Sequence, residues 1–129
     1  MDAAARPTVL VIDDDLRVLA SFKGFFEMLL PIRVETATSG LDGLDVLKRQ
    51  SVRLVIVDFR MPGMNGFEFI QRARELAPAL PYYLFTAYAS EDLKKLASVA
   101  QPQRYLSKNE MPEHIAEFIA TDLQIEPSA

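Results

Sequence analysis

Residues 8–15 read TVLVIDDD. A run of apolar and β-branched residues stops abruptly at three consecutive aspartates. Such a run is typical of a strand that is buried on both faces of a parallel sheet. Because the aspartates follow it directly, we expect a group of carboxylates at the carboxyl end of this strand.

Four more short apolar runs follow the first, and segments with helical periodicity separate them. The predicted strands cover residues 8–12, 32–37, 52–57, 82–85 and 104–106. Strands that alternate with helices predict a parallel sheet covered on both faces, with right-handed crossovers. We therefore expect an α/β fold, a flavodoxin-like (βα)5 three-layer sandwich with a five-stranded parallel sheet of order 2-1-3-4-5.

The first two helices are predicted from apolar residues that recur every three or four positions. The apolar positions of the first, which ends before Pro31, are Leu16, Leu19, Phe22, Phe26 and Leu29. Ser39 can cap the second helix, which is weakened by two glycines. Its apolar side carries Leu41, Leu44 and Leu47.

The third helix is predicted over about residues 67–76, and the last carries Ile115, Phe118, Ile119 and Leu123 on its apolar side. Between them, Ser90 can cap a further helix whose apolar face is thin, so we expect that helix to be the most mobile. Residues 126–129 are expected to fray. Residues 1–129 are interpreted as a single domain with an ordered core over about residues 8–125.

Composition excludes several classes of protein. Half of the residues are hydrophobic and the net charge is −4, so no basic stripe is available for direct binding to nucleic acid. There is no cysteine, which excludes a disulfide framework and a thiolate metal site. Residues 1–7 lack the apolar stretch typical of a signal peptide, and no run of apolar residues approaches the length needed to span a bilayer. We therefore expect a cytoplasmic protein with no membrane partner.

The functional crevice of an open parallel sheet lies at the carboxyl ends of the strands, next to the point where the strand order reverses. Polar residues follow the predicted strands at these ends. Asp13 and Asp14 end the first strand and Asp58 ends the third. Thr86 ends the fourth strand, and Lys108 follows the fifth. We expect these five side chains to converge at one edge of the sheet.

This set of side chains has a chemical interpretation. Three neighbouring carboxylates repel one another and attract a cation, and oxygen ligands without histidine or cysteine favour a hard ion such as Mg²⁺. A carboxylate can also attack phosphorus, and a metal ion, an ammonium and a hydroxyl then stabilise charge on the transferred oxygens. The chain supplies the carboxylate from Asp58, the ammonium from Lys108 and the hydroxyl from Thr86.

The chain resembles the receiver domains of two-component response regulators at four motifs, in order and at compatible spacing. They are Val11-Ile12-Asp13-Asp14-Asp15, Val57-Asp58 with Met61-Pro62-Gly63-Met64-Asn65-Gly66, Thr86-Ala87, and Tyr105-Leu106-Ser107-Lys108. The resemblance covers nearly the whole chain. It implies that Asp58 is the phosphoacceptor.

The resemblance also implies a metal site. Mg²⁺ would be held by Asp13, Asp14, Asp58 and the main-chain carbonyl of Arg60, with Asp14 a more direct ligand than Asp13.

The phosphoryl oxygens would be bound by Lys108, the Thr86 hydroxyl and the main-chain amide of Ala87. Tyr105 would be the switch aromatic, which turns inward as Thr86 moves toward the phosphoryl group.

By the same resemblance, the upstream partner is a sensor histidine kinase or a phosphotransfer protein. The downstream partner is an effector protein or a second copy in a homodimer, and a further domain could also supply the output. The protein is then a signalling switch that catalyses its own phosphorylation and dephosphorylation, and is not otherwise an enzyme.

Three departures from the family pattern qualify this interpretation. Asn109 follows the lysine where family members usually have proline, so the loop after Lys108 is expected to be trans and differently shaped. Asn65 replaces a common aspartate, which should matter only for the turn. Arg60 and Tyr88 lie where family members flank the approach of hydrolytic water, and we hypothesise that they slow self-dephosphorylation.

Two other functions compete with a phosphate-accepting receiver. Phosphatases with a strand-end aspartate need Asp-x-Asp-x-Thr or Val, whereas Asp13-x-Asp15 is followed by Arg17. A receiver-like interaction module that takes no phosphate stays open as the alternative. Asp15 is expected to act mainly as a helix N-cap, and the single histidine, His114, as a solvated residue.

Overall fold

Five parallel strands form one sheet in the order β2-β1-β3-β4-β5. The computed structural model describes residues 6–87 and 101–128. The strands are β1 (Thr8–Ile12), β2 (Arg33–Ala37), β3 (Leu54–Asp58), β4 (Tyr82–Thr86) and β5 (Arg104–Ser107). The helices within those ranges are α1 (Leu16–Leu29), α2 (Gly40–Arg49), α3 (Gly66–Leu76) and α4 (Pro112–Leu123). The predicted strand order is confirmed, and the helix predicted from Ser90 lies outside the described residues.

Helices cover both faces of the sheet, as the three-layer prediction requires. On one face α1 and α4 bury Phe26 and Ile119 against β1 and β3, and on the other α2 and α3 bury Leu44 and Phe69. Full burial of a side chain of this size stabilises the fold by about 1.5–3 kcal/mol. Across the described part of the chain, no helix is long and apolar enough to cross a membrane.

Two leucines that were predicted to face the core are exposed. Leu16 is 69% exposed and Leu41 is 66% exposed. Each lies in the first turn of its helix, at the open edge of the sheet and beyond the layer of core side chains. Two predicted strands also began too early, since β2 starts at Arg33 and β3 at Leu54, whereas the predicted starts of β1, β4 and β5 are confirmed.

The carboxyl-terminal tail is bonded to the domain up to Ser128, so the predicted fraying is wrong for residues 126–128. Gln124 adopts the left-handed conformation with φ 56°. Its N–H donates to the Thr121 carbonyl and that of Ile125 to the Ala120 carbonyl, which reverses the chain in a Schellman motif. The Ser128 N–H then donates to the Leu29 carbonyl at 2.8 Å, which satisfies a free acceptor at the end of α1.

Two glycines allow helices to approach the sheet where a larger residue would collide. A Cβ on Gly43 of α2 would lie 2.5 Å from Ile12 Cδ1. A Cβ on Gly66, the first residue of α3, would lie 2.7 Å from Leu84 Cδ1 and 2.8 Å from the Asp58 carbonyl oxygen. The start of α3 therefore rests directly on the last residue of β3.

A polar network joins β4, β5 and α4 at the margin of the apolar layer. The hydroxyl of fully buried Tyr83 donates to the Asp122 carboxylate. Arg104 donates to the same carboxylate through Nε at 2.9 Å and Nη2 at 3.1 Å, and its guanidinium lies 4.3 Å from the centre of the Phe118 ring. Asp122 is therefore the shared acceptor of a buried hydroxyl and a paired guanidinium.

Replacing Asp122 with alanine should lower the free energy of unfolding by about 2–3 kcal/mol, because the Tyr83 hydroxyl and the Arg104 charge both lose their partner. Urea denaturation measures this change. The control is Asp45→Ala, which removes an exposed ion pair with Arg49 and should cost less than about 0.5 kcal/mol. Equal losses in the two variants would contradict the importance assigned to the network.

Candidate functional site

The five side chains predicted to converge do line one cleft, of about 630 Å³, at the carboxyl edge of the sheet. Asp13 and Asp58 are buried at its floor, whereas Asp14 is exposed. Thr86 is buried at the end of β4, and Lys108 reaches in from the loop after β5. The sequence-based prediction of this cluster is confirmed.

The end of β1 fixes the first carboxylate of the cluster. The Asp13 N–H donates to the Ala37 carbonyl at 3.1 Å, which extends the pairing of β1 with β2 by one residue. Asp13 Oδ1 accepts the N–H of Asp15 at 2.9 Å. Asp15 in turn accepts the N–H of Arg17 at 2.9 Å and caps α1, as predicted.

The end of β3 fixes Asp58. The next residue, Phe59, donates its N–H to the Phe85 carbonyl at 3.0 Å, and its carbonyl accepts the Gly66 N–H at 2.9 Å. Asn65 caps α3 in a reciprocal capping box with Glu68. This role agrees with the expectation that Asn65 matters for the turn.

Lys108 connects the two buried carboxylates. Its Nζ lies 3.2 Å from Asp13 Oδ2 and 3.3 Å from Asp58 Oδ1. The main-chain N–H of Lys108 donates to the Thr86 carbonyl at 2.9 Å, which holds the residue beside β4. The ammonium also lies 5.6 Å from the centre of the Phe85 ring, within the range of a cation–π contact.

The departure at Asn109 has a structural counterpart. Its N–H donates to the Ser107 Oγ at 3.1 Å, a bond that proline could not make. Within residues 6–87 and 101–128 no peptide bond is cis, so the expected trans bond after Lys108 is confirmed.

The acid–base properties of the site reflect its charges. Burial, together with the neighbouring Asp13 charge, raises the pKa of Asp58 to about 6, although Lys108 acts in the opposite direction. Burial lowers the pKa of Lys108, but the charges of Asp58 and Asp13 outweigh it and leave that pKa above its ordinary value. Lys108 is therefore held as a cation, while Asp58 retains a proton more readily than a free aspartate.

The carboxylates have the arrangement of a cation site. Oxygen atoms of Asp13, Asp14 and Asp58 all lie within 4.8 Å of one another. Both Asp13 oxygens already accept hydrogen bonds, one from Asp15 and one from Lys108, whereas Asp14 is exposed and lines the cleft. A donor set made of oxygen alone fits a hard divalent cation.

Arg60 and Ala87 also line the cleft, where they were predicted to contribute main-chain groups. Tyr105 is 38% exposed. It lies on β5, where it pairs with Leu84 of β4. His114 is exposed, as expected, and Tyr88 lies outside the described residues.

Leu16 and Arg17 line the cleft as well and were missed by the analysis of the sequence. Their position directly after the three aspartates, in the first turn of α1, was the available signal. Leu16 was assigned to the core because it fits the apolar periodicity of the helix.

In the absence of metal, Asp58→Asn should stabilise the protein at high pH. The pKa of Asp58 is higher in the folded state than its ordinary value of 3.8. Its protonated form therefore contributes stability that is complete below about pH 4 and is lost as the pH rises through about 6. We expect Asp58→Asn to raise the free energy of unfolding at pH 8 by up to about 3 kcal/mol, and hardly at all at pH 4. Urea denaturation in the presence of a chelator, with Asp45→Asn as the exposed control, tests this, and a gain that does not depend on pH would contradict it.

Comparison with known proteins agrees with this geometry. The family model described as "Response regulator receiver domain" matches residues 9–120. The chain is 31% identical to the hydrogenase transcriptional regulatory protein HoxA of Cupriavidus necator, over 87% of this chain and 23% of HoxA. It is 34% identical to the sensor histidine kinase RcsC of Salmonella typhimurium, over 78% of this chain and 10% of RcsC.

A CheY-like receiver domain from Methanospirillum hungatei has the same fold, with a TM-score of 0.83 and 28% identity over 93% of this chain and 95% of that one. The chain spans less than a quarter of HoxA and of RcsC, so related domains form parts of both a regulator and a sensor kinase. The match of the family model over residues 9–120 shows that the chain belongs to the response regulator receiver domain family of two-component signalling.

Proposed function

We propose that this receiver domain accepts a phosphoryl group on Asp58, in a Mg²⁺-dependent reaction with the phosphohistidine of a sensor histidine kinase or a phosphotransfer protein. The main support is the buried Asp58 carboxylate on the floor of an open cleft, with the Lys108 ammonium 3.3 Å away. Related domains within a sensor kinase and a regulator are consistent with a kinase partner. We expect the reaction in the cytoplasm.

Asp58 is the nucleophile in this proposal. One of its carboxylate oxygens forms a bond to phosphorus while the bond from phosphorus to the histidine nitrogen breaks. The electron pair of that bond goes to the imidazole nitrogen. Since the pKa of Asp58 is raised to about 6 without metal, the carboxylate is ionised and able to attack at neutral and higher pH.

The metal site supports the same chemistry. Asp13, Asp14, Asp58 and the main-chain carbonyl of Arg60 would hold Mg²⁺, which when bound supplies positive charge beside the transferred oxygens. Without a bound cation, the three carboxylates outnumber the Lys108 ammonium, and their excess negative charge opposes the approach of a phosphoryl anion.

The remaining residues of the cleft have distinct roles. Lys108, the Thr86 hydroxyl and the Ala87 amide would bind the phosphoryl oxygens, since all three residues line the cleft. Thr86 pairs with Ser107 and Leu84 with Tyr105, so Thr86 and Tyr105 lie on the same face of the sheet.

The added charge on Asp58 would draw Thr86 inward, and exposed Tyr105 would follow it into the space beside β4. A downstream effector or a second copy of the chain would bind this altered surface. The domain would thus act as a switch that catalyses its own phosphorylation and dephosphorylation, without direct contact with nucleic acid.

Incubation with Mg²⁺ and acetyl phosphate should add the mass of one phosphoryl group to the wild-type chain. Asp58→Asn and a chelated sample should gain none, and Asp45→Asn, with the same change of charge on the exposed side of α2, should behave as wild type. Intact-mass measurement distinguishes these cases. If the wild type gains nothing from small donors or from a cognate kinase, a phosphate-independent interaction module becomes the better interpretation.

Lys108→Gln should slow phosphorylation by about tenfold or more, because a fixed positive charge next to the transferred oxygens is lost. The matched control is Lys48→Gln, an exposed lysine in the last turn of α2. The rate of mass gain under identical donor conditions is the measurement. A Lys108→Gln variant as fast as the control would exclude a catalytic role for this ammonium.

A further inference from the structure

One cationic side chain at the mouth of the cleft has no role in the chemistry described so far. Arg17 is the second residue of α1, and its side chain is 93% exposed. It lines the cleft together with Asp58 and Lys108. It therefore lies on the path by which any small ligand reaches the buried carboxylate.

The local structure does not account for an arginine at this position. Helix N-termini favour anions and disfavour cations, and the first turn of α1 contains no acidic residue. Arg17 Nε lies 3.5 Å from Asp15 Oδ1, an oxygen that already accepts the main-chain N–H of Arg17. An exposed ion pair of this length stabilises little. A residue that is unfavourable for its own helix is a candidate for a functional role.

Arg17 also borders a second groove, on the α1 side of the cleft. That groove has an apolar floor of Val18, Phe22 and Phe85, with Lys108 at its edge. Arg60 borders a different groove, next to Asp14 and the loop after β3. Arg17 and Arg60 therefore both line the cleft, and each also borders a separate groove beside it.

We propose that Arg17 binds the phosphoryl oxygens of the incoming phosphodonor at the mouth of the cleft. The inference rests on the proposed function. During transfer the Asp58 oxygen bonds to phosphorus, and the leaving group departs with the electron pair of the broken bond. Arg17 takes no part in making or breaking bonds, because it stands at the rim while Asp58 is buried at the floor.

This position predicts a specific kinetic signature. The negative charge of the carboxylates repels an anionic donor at the entrance, and a guanidinium at the rim offsets that repulsion. After transfer the phosphoryl group is attached to buried Asp58 beside Lys108. Loss of Arg17 should therefore slow phosphorylation without changing the lifetime of the product or the affinity for Mg²⁺.

The experiment compares the wild type with Arg17→Gln, Arg17→Lys and Arg53→Gln. Arg53 is an exposed arginine whose main-chain N–H donates to the Thr8 carbonyl at the opposite edge of the sheet. Arg53→Gln therefore makes the same change of charge as Arg17→Gln, but away from the cleft. The second-order rate constant with acetyl phosphate and Mg²⁺ is measured by intact mass at low and high salt. Phosphoryl lifetime after removal of the donor and Mg²⁺ affinity from thermal shift are measured on the same samples.

We expect Arg17→Gln to lower the rate constant by about threefold to tenfold at low salt and Arg17→Lys to retain most of it. High salt should reduce the difference, and Arg53→Gln should equal the wild type. Unchanged phosphorylation in Arg17→Gln, or a matching loss of Mg²⁺ affinity, would overturn the role of Arg17 alone. A wild-type chain that takes no phosphate from any donor would instead overturn the proposed function and this role with it.

Discussion

Repulsion between carboxylates at one buried edge is the constraint on which the rest of this structure depends. Parallel strands end at the same edge, and β1 and β3 are neighbours, so Asp13 and Asp58 are brought together with little water to screen them. The ammonium that offsets this repulsion comes from the loop after β5. The Lys108 side chain extends across the ends of β4 and β3 and contacts Asp13, which follows β1. The Phe85 ring lies beside its ammonium. The order of the strands is therefore what makes a single lysine sufficient to contact both carboxylates.

The Lys108 ammonium does not fully offset the negative charge of the carboxylates around it. With Lys108 in direct contact, the pKa of Asp58 still rises to about 6, so these carboxylates favour either a proton or an additional cation. A ligand that binds the folded state alone stabilises it, and a cation bound among these carboxylates would do so by removing their repulsion. Binding of a cation would therefore recover the stability that the repulsion between the carboxylates costs the fold. The rigid supports of Asp58, from Gly66 to the capping box of Asn65, keep the carboxylate from relaxing away.

Much of the fold and the chemical centre could be predicted because they depend on local patterns. Short apolar runs that end in Asp13, Asp58 or Thr86 define both the strands and the edge where the polar groups meet. What could not be predicted depends on contacts between distant residues or on unusual backbone conformations. Tyr83 and Asp122 are 39 residues apart, and nothing in either segment indicates their bond. The reversal at Gln124 uses a left-handed conformation that glycine usually signals. Periodicity correctly placed Leu16 on a helix but could not show that the core ends before its first turn.

The departure at Asn109, where family members usually have proline, and the presence of Arg60 both favour a module that takes no phosphate. The structure gives a physical ground for discounting that departure. What the site requires from this loop is the position of Lys108, which follows from its N–H bond to the Thr86 carbonyl and from its two carboxylate contacts. Neither depends on the following residue being proline. Asn109 instead donates its main-chain N–H to the Ser107 hydroxyl oxygen, and its peptide bond to Lys108 is trans, the usual form for a residue other than proline. Arg60 lines the same cleft as the acidic residues, the hydroxyl and the ammonium of the proposed chemistry.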